Sequence, residues 1–289
     1  MKTPSPRAAQ PRLRIIANLW SLWDYPSPAG EWPLERKIAA VKEAGFDGFT
    51  SALDREQGRL AARHGLVTIG YISSSKPAEF RPKIRMNRDG GALRINVQLG
   101  DHDTPVDSAV RLAVRIVQDG ESLGVPCDIE VHRDTCTETP EKTYAIAAGF
   151  KRATGRLMPM TWDLSHISVV KHLAPPYWRR LIVDPKLIQH ASQFHFRPFN
   201  GHHCQVPVTN GSGGLSAEFR QWLPVLDKTL ETWLAVGQEG RELFACPEMG
   251  PVRGGYNLAR LPNSWADAKV LRGIIKKRWT KALVAYASR

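Results

Sequence analysis

Residues 92–99 read ALRINVQL, residues 104–124 read TPVDSAVRLAVRIVQDGESLG and residues 127–132 read CDIEVH. The outer two are short apolar runs of strand length. In the middle piece Thr104, Pro105 and Asp107 make a helix start with a carboxylate at the capping-box position, and the apolar period runs on to Leu123 until Gly124 stops it. The result is strand, helix, strand, with a tight connection on either side.

The same alternation extends outward. Toward the N-terminus, strands are predicted over 13–22, 46–51 and 66–73, with helices over 33–44 and 53–64 that end at Gly45 and Gly65. Leu34, Ile38 and Val41 supply the buried face of the first helix, and the stretch between residue 73 and Ala92 reads as rich in loops. Toward the C-terminus, strands are predicted over 157–164, 192–197 and 243–249, and helical segments over 139–154, 178–190, 216–236 and 265–285. Eight strand–helix units without an internal break predict an α/β chain: a single (β/α)8 TIM barrel over 13–289, preceded by a disordered basic tail over 1–12. An open doubly wound sheet lacks its nucleotide signature, since no GxGxxG or GxxxxGK[ST] follows the first strand, and the GSGG at 211–214 reads as a flexible loop after strand seven.

Composition agrees with a folded globular domain, at 42% apolar and 24% charged residues. The apolar run near the start is broken by Arg14 and Asn18 and has no cleavage site of a signal peptide, so a soluble, cytoplasmic protein without a membrane span is expected. Cys127, Cys136, Cys204 and Cys246 form no CxxC pair and read as reduced, small buried residues. A formal charge of +12 suits any anionic partner, but much of it lies in the tail and in the last helix, where it reads as a solvated face. That basic helix is also where a homo-oligomer contact is open.

In a barrel of this kind chemistry sits at the C-terminal ends of the strands. Asp128, Glu130 and His132 alternate on strand five, Thr161, Asp163 and Ser165 on strand six, Gln193, His195 and Arg197 on strand seven, and Cys246 with Glu248 on strand eight. Glu130, Asp163 and Glu248 converging without compensation would repel one another, whereas a divalent cation keeps them ionised. With the imidazole of His195 they suit one divalent metal ion, Mn, Mg, Co or Zn. Arg197 points inward as a clamp for a substrate oxygen or as the partner of Asp163 or Glu248. His132 shares the inward face of strand five, Trp20, Trp23 and Trp32 offer an apolar wall for a sugar ring, and His202 or His203 offers a further contact.

These residues carry a resemblance. The order Glu, Asp with a histidine three positions on, His, Glu over strands five to eight resembles the xylose-isomerase-like TIM barrel superfamily of sugar isomerases and epimerases. The matching phrases are AGFDG at 44–48, IEVH at 129–132, DLSH at 163–166 and PEMGP at 247–251, and the likeness runs from about residue 13 onward. It implies a small-molecule sugar substrate, with Glu130 and Glu248 as the catalytic acid/base pair that removes a proton next to a carbonyl and returns it through an enediolate. It also implies that His166 contacts substrate oxygen near the metal. The 200–205 loop departs from the family pattern and leaves room for a second outcome, a lyase that cleaves 3-keto-glycosides by β-elimination. A barrel that merely binds a sugar is the non-catalytic alternative. Apurinic-site endonucleases share the superfamily, but their extra histidines are missing where strand four ends in VQLG at 97–100, so nucleic acid is not the expected partner.

Overall fold

A computed structural model describes residues 10–237, 239–258 and 262–288. Its elements follow in the order β1 (Arg12–Asn18), α1 (Leu34–Glu43), β2 (Gly48–Ser51), α2 (Arg55–Arg63), β3 (Val67–Ser74), α3 (Pro77–Asp89), β4 (Ala92–Leu99), α4 (Val106–Ser122) and β5 (Cys127–Glu130). The second half adds α5 (Pro140–Thr154), β6 (Met160–Trp162), α6 (Leu164–Val170), α7 (Trp178–Leu181), α8 (Pro185–His190), β7 (Gln193–His195), α9 (Ala217–Trp233), β8 (Glu242–Cys246) and α10 (Ser264–Ala287).

The decisive unit forms as read. α4 buries Ala109, Ala113, Ile116 and Val117, while β4 and β5 pair in parallel through Ile95↔Cys127 and Val97↔Ile129. Seven more parallel pairings close the sheet, with β1 against β8, into a single eight-stranded barrel. The main core lies between the strands and the helical ring. Among the described residues no helix is long and apolar enough to cross a membrane.

The strands are shorter than their apolar runs. β1 stops at Asn18, whose side chain accepts from Trp20 N–H and turns the chain into a 3-10 segment at Leu19–Leu22. β6 stops at Trp162 because Asp163 caps α6, accepting from Ser165 N–H. The 178–190 segment is broken into α7 and α8, the latter starting on Asp184 and Pro185. The stretch after residue 73 is a correction. It holds α3, disguised by Pro77 and Pro82 and by an inward face of only Phe80, Ile84 and Asn87. Asn87 is buried there because it serves the backbone, accepting from Leu53 and Tyr71 N–H and donating to the Tyr71 and Lys83 carbonyls. Of the expected tail, residues 1–9 lie outside the described residues, and Arg12 already belongs to β1. All four cysteines are free, and Cys204 is only half-buried.

Inside the barrel two levels matter. At the lower one Ile16, Ile69 and Phe244 make an apolar plug. Beside them Asp128 receives Arg94 Nε and Nη2, each at 2.7 Å, and Gln193 Nε2 at 2.6 Å. Asp128 is therefore a structural anchor, one inward step below Glu130. Truncating Arg94 leaves that carboxylate buried with only neutral donors, so Arg94→Ala is expected to lower stability by about 3 kcal/mol, read by urea unfolding, without changing metal uptake. A loss below about 1 kcal/mol would show that Gln193 and Ser192 suffice as partners.

Candidate metal centre

The upper level opens into a cavity of about 480 Å³ at the C-terminal ends of the strands. Its wall includes Asn18, Trp20, Trp23, Tyr71, Asn96, Gln98, Glu130, His132, Arg133, His195, Arg197, Glu248 and Tyr256. A larger, shallower hollow of about 860 Å³ lies at the other end around Arg12, Arg94 and Arg241. Its Arg94 is already committed to Asp128, and Arg241 to the carbonyls of Gln189, His190 and Ala191.

Glu130, Asp163, His195 and Glu248 are all buried, and one donor atom from each lies within 4.8 Å of every other. His195 Nδ1 is 2.9 Å from Glu130 Oε1 and 2.9 Å from Glu248 Oε2. None of these contacts has the geometry of a hydrogen bond, and Glu248 Oε2 and Asp163 Oδ2 are met only by charge contacts from His195, His166 and Arg197. Cis donors around an octahedral ion at about 2.1 Å sit about 3 Å apart, which is the spacing found here. Buried polar atoms are normally satisfied, so several unsatisfied ones facing one point mark a place for an ion.

Charge counting agrees. Arg197 Nη2 lies 2.8 Å from Glu248 Oε2 and 3.3 Å from Asp163 Oδ2, so three carboxylates face one guanidinium, a deficit of two that a divalent cation matches. Without metal, protonated His195 covers part of it. Burial opposes that proton, but Glu248 and Glu130 outweigh burial and hold the imidazole pKa well above its usual value. Burial likewise pushes the Glu130 carboxyl up, yet His195 beside it holds it at about 2. Asp163 and Glu248 are held below the usual carboxylate range, against burial, chiefly by Arg197. Both glutamates are thus ionised at neutral pH.

The other predicted residues divide. Trp20, His132 and Arg197 line the cavity. Burial and the neighbouring His166 lower His132 to about 4, so its ring is neutral at physiological pH, with Nδ1 2.6 Å from the Arg133 carbonyl. Two expectations need correction. His166 is 1% exposed, set behind His132 with ring centres 4.1 Å apart and Nε2 3.2 Å from Asp163, so it supports the cluster and is off the cavity wall. His202 lies outside the cavity, edge-on to His172, because the backbone N–H groups of His202 and His203 both turn onto Asn200 Oδ1. Trp23 lines the cavity, whereas Trp32 packs on Tyr25.

No sequence signal singles out Asn18, Tyr71, Asn96 and Gln98, which also line the cavity. They are neutral side chains on early strands, legible only as polar breaks in the apolar alternation of β1, β3 and β4. Tyr256, which stacks on Arg197 at 4.4 Å, comes from the loop after β8 and has no periodic signal.

No family model and no curated protein sequence matches the chain. Solved structures do. An L-ribulose 3-epimerase is 15% identical, with 93% of this chain and 95% of that one covered and a TM-score of 0.60. A D-allulose 3-epimerase from Methylomonas sp. is 16% identical over 94% and 100%, with a TM-score of 0.59. A xylose isomerase-like TIM barrel protein from Mycobacterium smegmatis in complex with magnesium is 18% identical over 93% and 97%, with a TM-score of 0.59. The fold of this chain is that of the xylose isomerase-like barrels.

Proposed function

We propose that this barrel is a divalent-metal-dependent sugar epimerase or isomerase acting on a ketose or a ketose derivative. The observation that carries the reading is the convergence of Glu130, Asp163, His195 and Glu248 at the C-terminal end of the barrel, with buried donor atoms left unsatisfied. Solved structures of the same fold that are sugar 3-epimerases support it.

In this reading one of the two glutamates takes the proton from the carbon next to the carbonyl, and the other delivers one back on the opposite face or at the neighbouring carbon. Both are ionised at neutral pH and so carry a free lone pair for it. A bound divalent ion would supply electrophilic stabilisation for the charge that develops on the substrate oxygens. Neutral His132, whose Nδ1–H is given to the Arg133 carbonyl, accepts from a substrate hydroxyl through Nε2, whereas Arg197 Nε and Nη1, buried without hydrogen-bond partners, donate to a substrate oxygen. Trp20 and Trp23 cover the apolar side of the sugar and exclude water.

Elemental analysis of the purified protein should find one divalent ion per chain, and Mn²⁺ added to metal-stripped protein should raise its unfolding temperature. At a hundredfold excess over Kd the gain is about 2.7 kcal/mol. Incubation with D-allulose, D-fructose and L-ribulose in D2O should give an isomerised or epimerised product carrying deuterium at the carbon that lost its proton. Protein that holds no metal and gains no stability from Mn²⁺ would sink the reading; aglycone release from a 3-keto-glycoside without epimer formation would replace the epimerase with the lyase.

A further inference from the structure

The two glutamates are held from behind in the same way. Asn96 Nδ2 donates to Glu130 Oε2 at 2.8 Å, and Asn18 Nδ2 donates to Glu248 Oε1 at 2.9 Å. Each asparagine stands on the strand next to the one that carries or leads to its glutamate, β4 beside β5 and β1 beside β8. In both cases the oxygen that receives the amide is the one turned away from His195 Nδ1, which faces Glu130 Oε1 and Glu248 Oε2. The amide orientations are forced. A carboxylate only accepts, so the NH2 group must face it. In Asn18 the carbonyl end is also fixed, since Oδ1 accepts from Trp20 N–H at 3.2 Å.

We infer that Asn18 and Asn96 are positioning residues that divide the work between the oxygens of Glu248 and Glu130, keeping one oxygen of each for the ion and the other for the substrate proton. The inference rests on the reading of these glutamates as ligands and proton carriers. An ionised carboxylate has about four lone-pair sites. The amide occupies one on the outer oxygen and fixes the plane of the group, leaving the second open to the cavity. Without the amide a carboxylate is free to turn and chelate through both oxygens, as carboxylates readily do, and the oxygen needed as base is then spent on the ion. The arrangement is not matched on the third carboxylate. Asp163 Oδ1 accepts from the Ser165 backbone, and no side-chain amide reaches it among the described residues.

The test compares Asn18→Ala, Asn96→Ala and the near-isosteric Asn96→Leu with wild type, each loaded with Mn²⁺ alone. The readouts are calorimetric Mn²⁺ titration, the electron paramagnetic resonance spectrum of the bound ion, and the infrared splitting between the symmetric and antisymmetric carboxylate stretches. Expected for both alanine variants are Mn²⁺ affinity within about tenfold of wild type, an altered resonance spectrum, and a narrowed splitting that reports chelation. Turnover of D-allulose is expected to fall about 10–100-fold at little-changed KM, the usual cost of losing a group that orients a ligand. Asn96→Leu keeps the shape without the donor and should lose turnover as Asn96→Ala does. Unchanged carboxylate bands and resonance spectrum in both alanine variants would overturn the inference while leaving the metal centre standing. Wild type that binds no Mn²⁺ would overturn the underlying reading and the inference with it.

Discussion

Glu248→Gln is expected to abolish turnover, by at least about 10³-fold in kcat, while leaving the barrel folded. The change removes one negative charge from a cluster whose donor atoms converge within 4.8 Å, and it replaces a carboxylate with an amide that cannot take a proton. Shape and volume are nearly kept. The single oxygen of the amide can serve only one of Asn18 and Arg197, which now meet Oε1 and Oε2 separately, and the charged acceptor that Arg197 has at 2.8 Å is lost. Mn²⁺ affinity should fall by more than the roughly 10–100-fold typical of groups that only orient a ligand. Calorimetric titration and turnover of D-allulose measure the two losses separately. A barrel that merely binds a sugar makes the opposite forecast, with ligand binding intact and no metal effect; full Mn²⁺ affinity in this variant would remove Glu248 from the centre.

Much of this cluster was legible in the sequence, for a physical reason. Period-two alternation at strand ends is a local rule, so the inward face of Glu130, His195 and Glu248 follows from the neighbours of each residue alone. Where backbone capping intervenes the rule loses information. Asp163 was expected as an inward residue of a strand running to residue 164, and it is inward, but as the cap of α6. That turn also carries His166 behind His132 and off the cavity wall. Asp128 obeys the alternation yet faces Arg94 one level down, because alternation gives the face of a residue and says nothing about its partner. Asn18 and Asn96 show the reverse failure. Neutral amides carry no charge pattern to single them out, and their meaning appears only when closure of the sheet sets β1 beside β8 and β4 beside β5.

α3 shows how two prolines hide a helix. Pro77 stands where the backbone N–H has no partner in any helix, and Pro82 lies in the second turn, where its lost hydrogen bond is offset by burial of Phe80 and Ile84. Propensity counted against the helix, and packing against the barrel decided for it. The same packing places Asn87 so that it ties Leu53 to Tyr71, the mid-β3 residue whose ring stands on the cavity wall.

Replacing Arg197 should cost more stability than any other single change at the cavity. Its guanidinium is 1% exposed, lies between Asp163 and Glu248, and stacks on Tyr256 at 4.4 Å. Arg197→Met fills much of the same space but leaves three buried carboxylates opposed only by His195 in the metal-free protein. Breaking a buried pair in this way costs about 3–5 kcal/mol, enough to lower the unfolding temperature of a chain this size by roughly 10 °C. The sign then reverses with metal. Each divalent ion now meets a more negative cluster, so Mn²⁺ should bind the variant more tightly and restore more stability to it than to wild type. Arg197→Lys keeps a point charge without the fork that reaches both carboxylates, and should fall between the two. Thermal unfolding of stripped and Mn²⁺-loaded protein reads all three. A stripped Arg197→Met variant within about 2 °C of wild type would mean that the carboxylates are already neutralised by protons, and the charge count behind the metal centre would have to be abandoned.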